Sequence, residues 1–147
     1  MAGAKVTAAA WGTLMFAVVL GCDDGRPRRV PVSGKVLVDG QPLTRGAVRF
    51  KPPEGRVATG EIGSDGTFAL STYTPGDGAV TGTHAVTIHA SEELEDNSIR
   101  WYVPKKYMRA NTSGLTQTIN GPTDKVVIEL TWEGKQGPLV EEIPVRR

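Results

Sequence analysis

The chain has 147 residues and a nearly balanced charge, with 17 lysines and arginines against 16 aspartates and glutamates. A formal net charge of +1 gives no electrostatic case for a nucleic-acid partner, which needs a concentrated basic surface to engage phosphates, so we expect none. One cysteine and two histidines exclude an internal disulfide and a zinc site with four Cys or His ligands, and we expect no metal and no cofactor.

The first 21 residues have the organisation of an export signal. Lys5 and the chain amine supply positive charge, and an apolar run of ten residues follows from Trp11 to Leu20. Such a run is too short to cross a hydrocarbon core, which takes about 20 residues as a helix. It fits the apolar segment of a secretory signal peptide. We therefore assign residues 1–21 to a signal peptide rather than to a membrane helix.

The apolar run ends in Val19-Leu20-Gly21-Cys22, which resembles a bacterial lipobox. The resemblance implies that a signal peptidase recognises the three residues before Cys22, that its thiol takes a diacylglyceryl group and that its amine is acylated, for example with palmitate. Two or three acyl chains anchor stably where one does not, since each buried methylene contributes about 0.8 kcal/mol. The implied location is the cell membrane or outer membrane, facing the periplasm or the cell surface. The alternative is an ordinary signal peptide followed by a chance cysteine.

Residues 22–31 are predicted to be a tether between this anchor and the folded domain. Arg26, Arg28 and Arg29 lie in it, together with two prolines and two aspartates. Arginines beside an anchor can contact anionic head groups, each adding about 1 kcal/mol. A solvated tether, in which the aspartates offset the arginines, is the interpretation that we favour.

Residues 32–132 are predicted to form an all-β sandwich of about seven antiparallel strands. Short runs of alternating apolar residues are separated by glycine and proline, and apolar faces of this kind pack against a second sheet. The predicted strands are residues 30–38, 47–51, 57–62, 67–72, 83–90 and 125–131. We expect a tight turn at Asp39-Gly40, at most one helical turn within residues 92–97, and a C-terminal extension over residues 133–147.

The order of these motifs resembles a known domain family. Gly34-Lys35-Val36 is followed by Gly40-Gln41-Pro42-Leu43, then by Gly46-Ala47-Val48 and by Asp65-Gly66-Thr67-Phe68. This series is similar to that of the carboxypeptidase regulatory-like, transthyretin-like β-sandwich, a Greek-key fold, and above all to small bacterial lipoproteins with this one domain. The resemblance implies a periplasmic or cell-surface setting. It does not imply catalysis, because this domain of carboxypeptidases is accessory to the metal-bearing one.

We predict no catalytic residues. The nearest enzymatic alternative is the group of transthyretin relatives that hydrolyse 5-hydroxyisourate, which use His and Arg residues and a C-terminal Tyr-Arg-Gly-Ser. This chain ends in Val145-Arg146-Arg147 and lacks that motif. His84 and His89 are five residues apart on one predicted strand, which directs them to opposite faces. A transthyretin-like hydrolase is therefore the least favoured of the functions considered.

The segment of residues 91–114 contains the candidate binding surface. Its members are aromatic and basic, a composition typical of interaction surfaces. They are Arg100, Trp101, Tyr102, Lys105 and Tyr107. The alternative that we favour is that these rings pack over the open end of the sandwich, since the domain has few other large residues.

The function predicted from the sequence is a lipid-anchored cell-envelope protein without catalytic activity, acting as a structural or binding module. It contacts the membrane through Cys22, and its partner is expected to be an envelope protein or a glycan. The alternative is a lipoprotein that binds a small ligand or a glycan through residues 91–114.

Overall fold

The computed structural model describes residue 3 and residues 25–144. The predicted signal peptide, its recognition residues Val19, Leu20 and Gly21, and Cys22 lie outside the described residues apart from residue 3, as do residues 145–147. The described strands are β1 (Arg29–Val30), β2 (Val32–Val38), β3 (Gln41–Pro42), β4 (Ala47–Lys51), β5 (Ala58–Glu61), β6 (Thr67–Ala69), β7 (Ala79–Val80), β8 (Gly82–His89), β9 (Ser91–Glu93), β10 (Ser98–Trp101), β11 (Leu115–Ile119), β12 (Thr123–Leu130) and β13 (Leu139–Glu142). Two helical turns, a 3₁₀ turn (Lys105–Met108) and α1 (Ala110–Ser113), lie between β10 and β11.

Two sheets form the sandwich. One has the strand order β11-β8-β4-β5, and the other has the order β12-β2-β3, with β6 also paired to β2. Without the two-residue β3 these sheets contain seven strands, so the predicted all-β sandwich is confirmed. The strand predicted at residues 83–90 is central, because β8 pairs with β4 on one side and with β11 on the other.

The strand pairs among the described residues are antiparallel with one exception. β12 runs parallel to β2, and Thr123 lies beside Val32. The Thr123 N–H also donates a hydrogen bond of 3.0 Å to the Pro31 carbonyl, so the chain enters β12 at the end of the sheet where β2 begins. The predicted antiparallel arrangement is wrong for this pair. Parallel neighbours need a long connection that returns the chain to the same end, and here the rest of the domain, between β2 and β12, is that connection.

The predicted alternation of side chains produces the core. Val48 and Phe50 of β4 and Val86 and Ile88 of β8 are buried, as the period of two requires. The Phe50 ring meets Phe68 of β6 from the opposite sheet, with 6.1 Å between ring centroids. The contact between these two rings therefore joins the two layers.

The two ends of the sandwich carry different elements. At the end where β2 and β12 begin, β1 pairs with β7, and we call this the N-terminal end. At the other end, the distal end, the predicted Asp39-Gly40 turn joins β2 to β3 with both residues at positive φ. The eight residues of β12 run from one end to the other, a length of about 26 Å.

Three segments differ from the predictions. Arg29 was expected in the tether, and Val30 both there and at the start of the first strand; the two form the separate strand β1, because their backbone pairs with β7. Residues 92–97 do not form a helical turn, since Ser91–Glu93 is β9 and continues the chain from β8 into a pair with β10. Within the predicted C-terminal extension, Leu139–Glu142 forms β13 and adds a third strand to this small sheet. In each case pairing with another strand decides the structure, and for β1 and β13 that strand is distant in sequence.

Candidate functional site

The five predicted surface residues do not form one surface. Successive residues of a strand point to opposite faces, so Arg100 and Trp101, neighbours in β10, separate. Tyr102 joins Arg100 on a cluster around Glu92, whereas Lys105 joins Trp101 on the other side. Tyr107 lies in the core.

The Glu92 cluster binds Arg100 and Tyr102 within the protein. The Tyr102 hydroxyl donates a 2.6 Å hydrogen bond to the Glu92 carboxylate, and Arg45 and Arg100 donate to the same oxygen at 3.3 and 3.4 Å. The Tyr102 hydrogen bond, followed by the two arginines, holds the pKa of Glu92 below its usual value. The Arg45 guanidinium also lies 4.6 Å from the centroid of the Tyr102 ring. These contacts connect β9 with β10 and hold Arg100 and Tyr102 on Glu92, away from Trp101.

Tyr107 closes the open end of the core, which confirms for this ring the packing alternative. Its side chain is 4% exposed. Its hydroxyl accepts a 3.2 Å hydrogen bond from the Thr131 N–H, directly after β12. The Tyr107 ring therefore serves the fold.

Trp101 lines a cleft at the distal end, which we call the tryptophan cleft. The cleft has a volume of about 280 Å³. It is lined by Trp101, Val103, Pro104, Lys105, Lys106, Trp132, Glu133, Lys135, Leu139 and Glu141. A second depression, of about 510 Å³, reaches Met108 and Arg109 and shares Trp101, Lys105 and Lys106 with the cleft. Of the five predicted residues, Trp101 and Lys105 line this cleft, whereas Tyr102 lines a separate depression.

Trp132 is the functional candidate that sequence reasoning missed. It follows β12 and is 7% exposed, and the C-terminal segment folds against it: a Cβ added to Gly137 would overlap its indole ring. Trp132 also lines a neighbouring depression that contains Tyr102 and Pro138. The signal in the sequence was a tryptophan directly after the strongest strand, followed by the turn-forming glycines of the extension.

Ion pairs hold the rim of the tryptophan cleft. Lys105 pairs with Glu141 of β13, and Lys106 pairs with Glu133. The hydrogen bond between Lys106 and Glu133 lowers the pKa of Glu133 and raises that of Lys106. The cleft therefore places the half-buried Trp101 ring, with the buried Trp132 behind it, beside charged groups of both signs, an arrangement that offers apolar surface together with hydrogen-bond donors and acceptors.

The two histidines lie on opposite faces of β8. His84 is 1% exposed, contacts Phe50 with 5.8 Å between ring centroids, and its Nε2 lies 2.8 Å from the Val80 carbonyl oxygen. His89 lies on the other face beside Thr87, and burial, with a smaller contribution from Arg49, lowers its pKa. Within residues 25–144 no group of three or more His, Cys, Asp and Glu side chains is placed to hold a metal ion.

At the N-terminal end, Asp77 organises the loop between β6 and β7. Its carboxylate accepts hydrogen bonds from the backbone N–H groups of Thr72, Tyr73 and Thr74 and forms a 3.0 Å ion pair with Arg29. Burial by itself raises the pKa of Asp77, but the three N–H donors and Arg29 outweigh it, and the pKa is lowered. The charged carboxylate is thus the form that the fold stabilises.

Replacing Asp77 by asparagine is expected to lower the free energy of unfolding at pH 7 by about 1–3 kcal/mol, the range for charged hydrogen bonds. Because the pKa of Asp77 is lowered on folding, its contribution is present above the unfolded value near 4 and is lost as the pH falls through the folded value. Urea unfolding at pH 7 and pH 3 measures this, and the difference between wild type and Asp77→Asn must shrink at pH 3. Asp124→Asn, at an exposed residue, is the control, and an equal effect there contradicts the assignment.

Comparison of the chain with family models, with curated proteins and with solved structures gives no match. The resemblance to carboxypeptidase regulatory-like domains therefore stays a prediction. None of the helices in the described part of the chain is long and apolar enough to span a bilayer.

Proposed function

We propose that the protein is a lipid-anchored binding module of the cell envelope, without catalytic activity, whose ligand site is the tryptophan cleft. The lipobox-like Val19-Leu20-Gly21-Cys22 supports the anchor. The resemblance to small lipoproteins with a carboxypeptidase regulatory-like domain supports the setting. The separation of His84 from His89 on opposite faces of β8 supports the absence of a histidine-based reaction.

The observation that carries the proposal is that the chain enters the sandwich at one end and the cleft lies at the other. The chain enters the domain at the N-terminal end, where Arg29–Val30 forms β1. The tryptophan cleft lies beyond the opposite end of β12, next to Trp132. A protein anchored through Cys22 would thus present the cleft about 26 Å or more from its attachment, towards ligands in the periplasm or outside the cell.

The lining of the cleft favours a glycan or another small polar ligand. An indole ring gives a large apolar surface with little conformational entropy to lose, and charged groups at the rim supply hydrogen bonds that fix orientation. Trp101 and Trp132 supply the rings, and Lys105 and Glu141 supply the rim.

Replacing Trp101 by alanine is expected to weaken ligand binding at least ten-fold, because a tryptophan central to a binding site carries 2 kcal/mol or more of the binding free energy. A glycan array and a thermal-shift screen first identify the ligand, and titration of wild type and Trp101→Ala then measures the dissociation constant. Because Trp101 is half-buried, the thermal midpoint of the variant is measured as well.

The matched control is Tyr102→Phe, which removes a hydroxyl from a neighbouring aromatic residue on the Glu92 cluster and should leave affinity unchanged. If Trp101→Ala lowers the thermal midpoint but alters no binding signal, the cleft is a packing feature and the binding proposal fails. Hydrolase activity of purified protein that disappears in His84→Ala or His89→Ala would instead establish the enzymatic alternative.

A further inference from the structure

We propose that a group of arginines at the N-terminal end of the sandwich forms a docking surface for anionic phospholipid head groups, so that this end of the domain lies on the membrane. The inference rests on the proposed anchoring and adds an orientation to it. The surface, here called the arginine face, consists of Arg26, Arg29 and Arg56 around Tyr73, together with the exposed Arg28 of the same N-terminal segment.

Two distant parts of the chain bring arginines to the Tyr73 ring. The guanidinium carbons of Arg26 and Arg29, from the N-terminal arm, lie 4.7 and 4.8 Å from the ring centroid. That of Arg56, from the loop between β4 and β5, lies at 5.3 Å. The quadrupole of an aromatic ring attracts cations to both of its faces. Three guanidinium groups therefore lie close together around Tyr73. Arg28, which lies between Arg26 and Arg29 in the sequence and is exposed, adds a further positive charge to the N-terminal segment.

Acidic groups offset this charge only in part. Asp77 pairs with Arg29, but its oxygens also accept the backbone hydrogen bonds of its own loop. Arg28 and Arg56 form no ion pair with a carboxylate among residues 25–144, and both are exposed. A guanidinium group offers paired N–H donors that match a phosphate. Arg28 and Arg56 are therefore the residues on which phosphate recognition depends.

The position of the arginine face fits a membrane surface. Only residues 23–25 separate Cys22 from Arg26, so even a fully extended link spans at most about 14 Å. An acyl anchor on Cys22 would hold the arginine face within about one or two Debye lengths of the head groups, where attraction to anionic lipid is felt. Asp23 and Asp24 in the link oppose this attraction. Arg56 belongs to the folded domain rather than to the link, so we expect it to contribute more to the attraction than the arginines next to the aspartates.

The test uses the full chain with Cys22→Ser, so that no acyl chain is attached. Its partition is measured on vesicles of phosphatidylcholine alone and on vesicles that also contain phosphatidylglycerol. The apolar leader contributes to partition into both kinds of vesicle. The ratio of the two partition coefficients therefore measures the effect of the anionic lipid alone. We expect the chain with all its arginines to prefer the anionic vesicles clearly. In Arg28→Gln/Arg56→Gln the ratio of partition coefficients should fall about five-fold for each arginine removed.

Two control variants test whether the preference depends on positive charge at these positions. Arg28→Lys/Arg56→Lys keeps the charge and should retain most of the anionic preference. Arg109→Gln/Lys135→Gln removes the same charge from exposed positions elsewhere and should leave the preference unchanged. Thermal midpoints confirm that every variant is folded.

The proposal is overturned if the wild-type arginine face shows no anionic preference, or if the distant double variant reduces the preference as much as Arg28→Gln/Arg56→Gln does. It is also overturned if soluble dextran sulfate binds while anionic vesicles do not. Failure of the anchor is recognised separately, as palmitate labelling that survives Cys22→Ser. An unlipidated chain that still prefers anionic vesicles supports the arginine face whatever the fate of the anchor.

Discussion

Replacing Phe50 by alanine is expected to lower the free energy of unfolding by about 3–5 kcal/mol, the range for removing a buried phenyl ring. Phe50 is fully buried in β4 and lies between Phe68 of the opposite sheet and His84 of β8, with ring centroids 6.1 and 5.8 Å away. The variant loses the transfer free energy of the ring and leaves a cavity that the two sheets, held by their backbone ladders, fill only in part. Urea unfolding at pH 7 measures the change.

Two substitutions calibrate this result. Phe50→Leu keeps most of the volume and should cost about 1.5 kcal/mol or less. Val127→Ala removes methyl groups from a side chain that is 55% exposed on the outer face of β12, and should change stability by less than about 0.5 kcal/mol. A loss below 1 kcal/mol for Phe50→Ala would mean that the ring does not join the two layers.

Replacing Gly78 by alanine is expected to cost about 2–5 kcal/mol. Its φ is +81°, which costs an L-residue about 1–2 kcal/mol, and the added Cβ would overlap the Val30 carbonyl, a clash worth about 1–3 kcal/mol. The backbone cannot easily move away, because the Gly78 N–H donates to the Leu70 carbonyl and the Gly78 carbonyl accepts from the Thr72 hydroxyl. The pairing of β1 with β7 should loosen first, measured as faster hydrogen exchange there.

Gly76 provides a control in the same loop. Its φ of +74° is nearly the same, but a Cβ there would meet no atom within 4 Å. Gly76→Ala should therefore show only the conformational cost, about 1–2 kcal/mol, and the difference between the two variants isolates the contact with Val30. Equal losses for the two variants would contradict the close packing of β1 on this loop.

The sequence predicted those parts of the fold that depend on local pattern. Val48 and Phe50, like Val86 and Ile88, are separated by one residue and point to the same face. In a strand with one buried face, this spacing determines which side chains are buried. Asp39-Gly40 predicted a hairpin turn because both residues tolerate positive φ. These signals lie within a few residues of each other and do not need the rest of the chain.

Pairing between distant segments escaped prediction. Leu139–Glu142 is short and exposed, and it becomes a strand only because it pairs with β10, far earlier in the chain. The parallel pairing of β12 with β2 likewise depends on where the connection returns the chain. Such choices are made by long-range contacts that a single sequence does not display.

The candidate site was predicted in part. Composition indicated an aromatic and basic surface, but composition carries no direction, so Arg100 and Tyr102 on the Glu92 cluster were grouped with Trp101. Trp132 was missed because the C-terminal segment that completes its cleft was predicted only as an extension of the domain, with no contact to it.

The most direct measurement of the proposed anchoring is the mass of the N-terminal peptide of protein extracted from the producing cell's membranes. We expect the mature chain to begin at Cys22, with a diacylglyceryl group on the thiol and acylation of the amine, and we expect the Cys22→Ser chain to lack both. A mature chain that begins at another residue, or that carries an unmodified Cys22, would contradict the anchor and with it the orientation proposed for the tryptophan cleft.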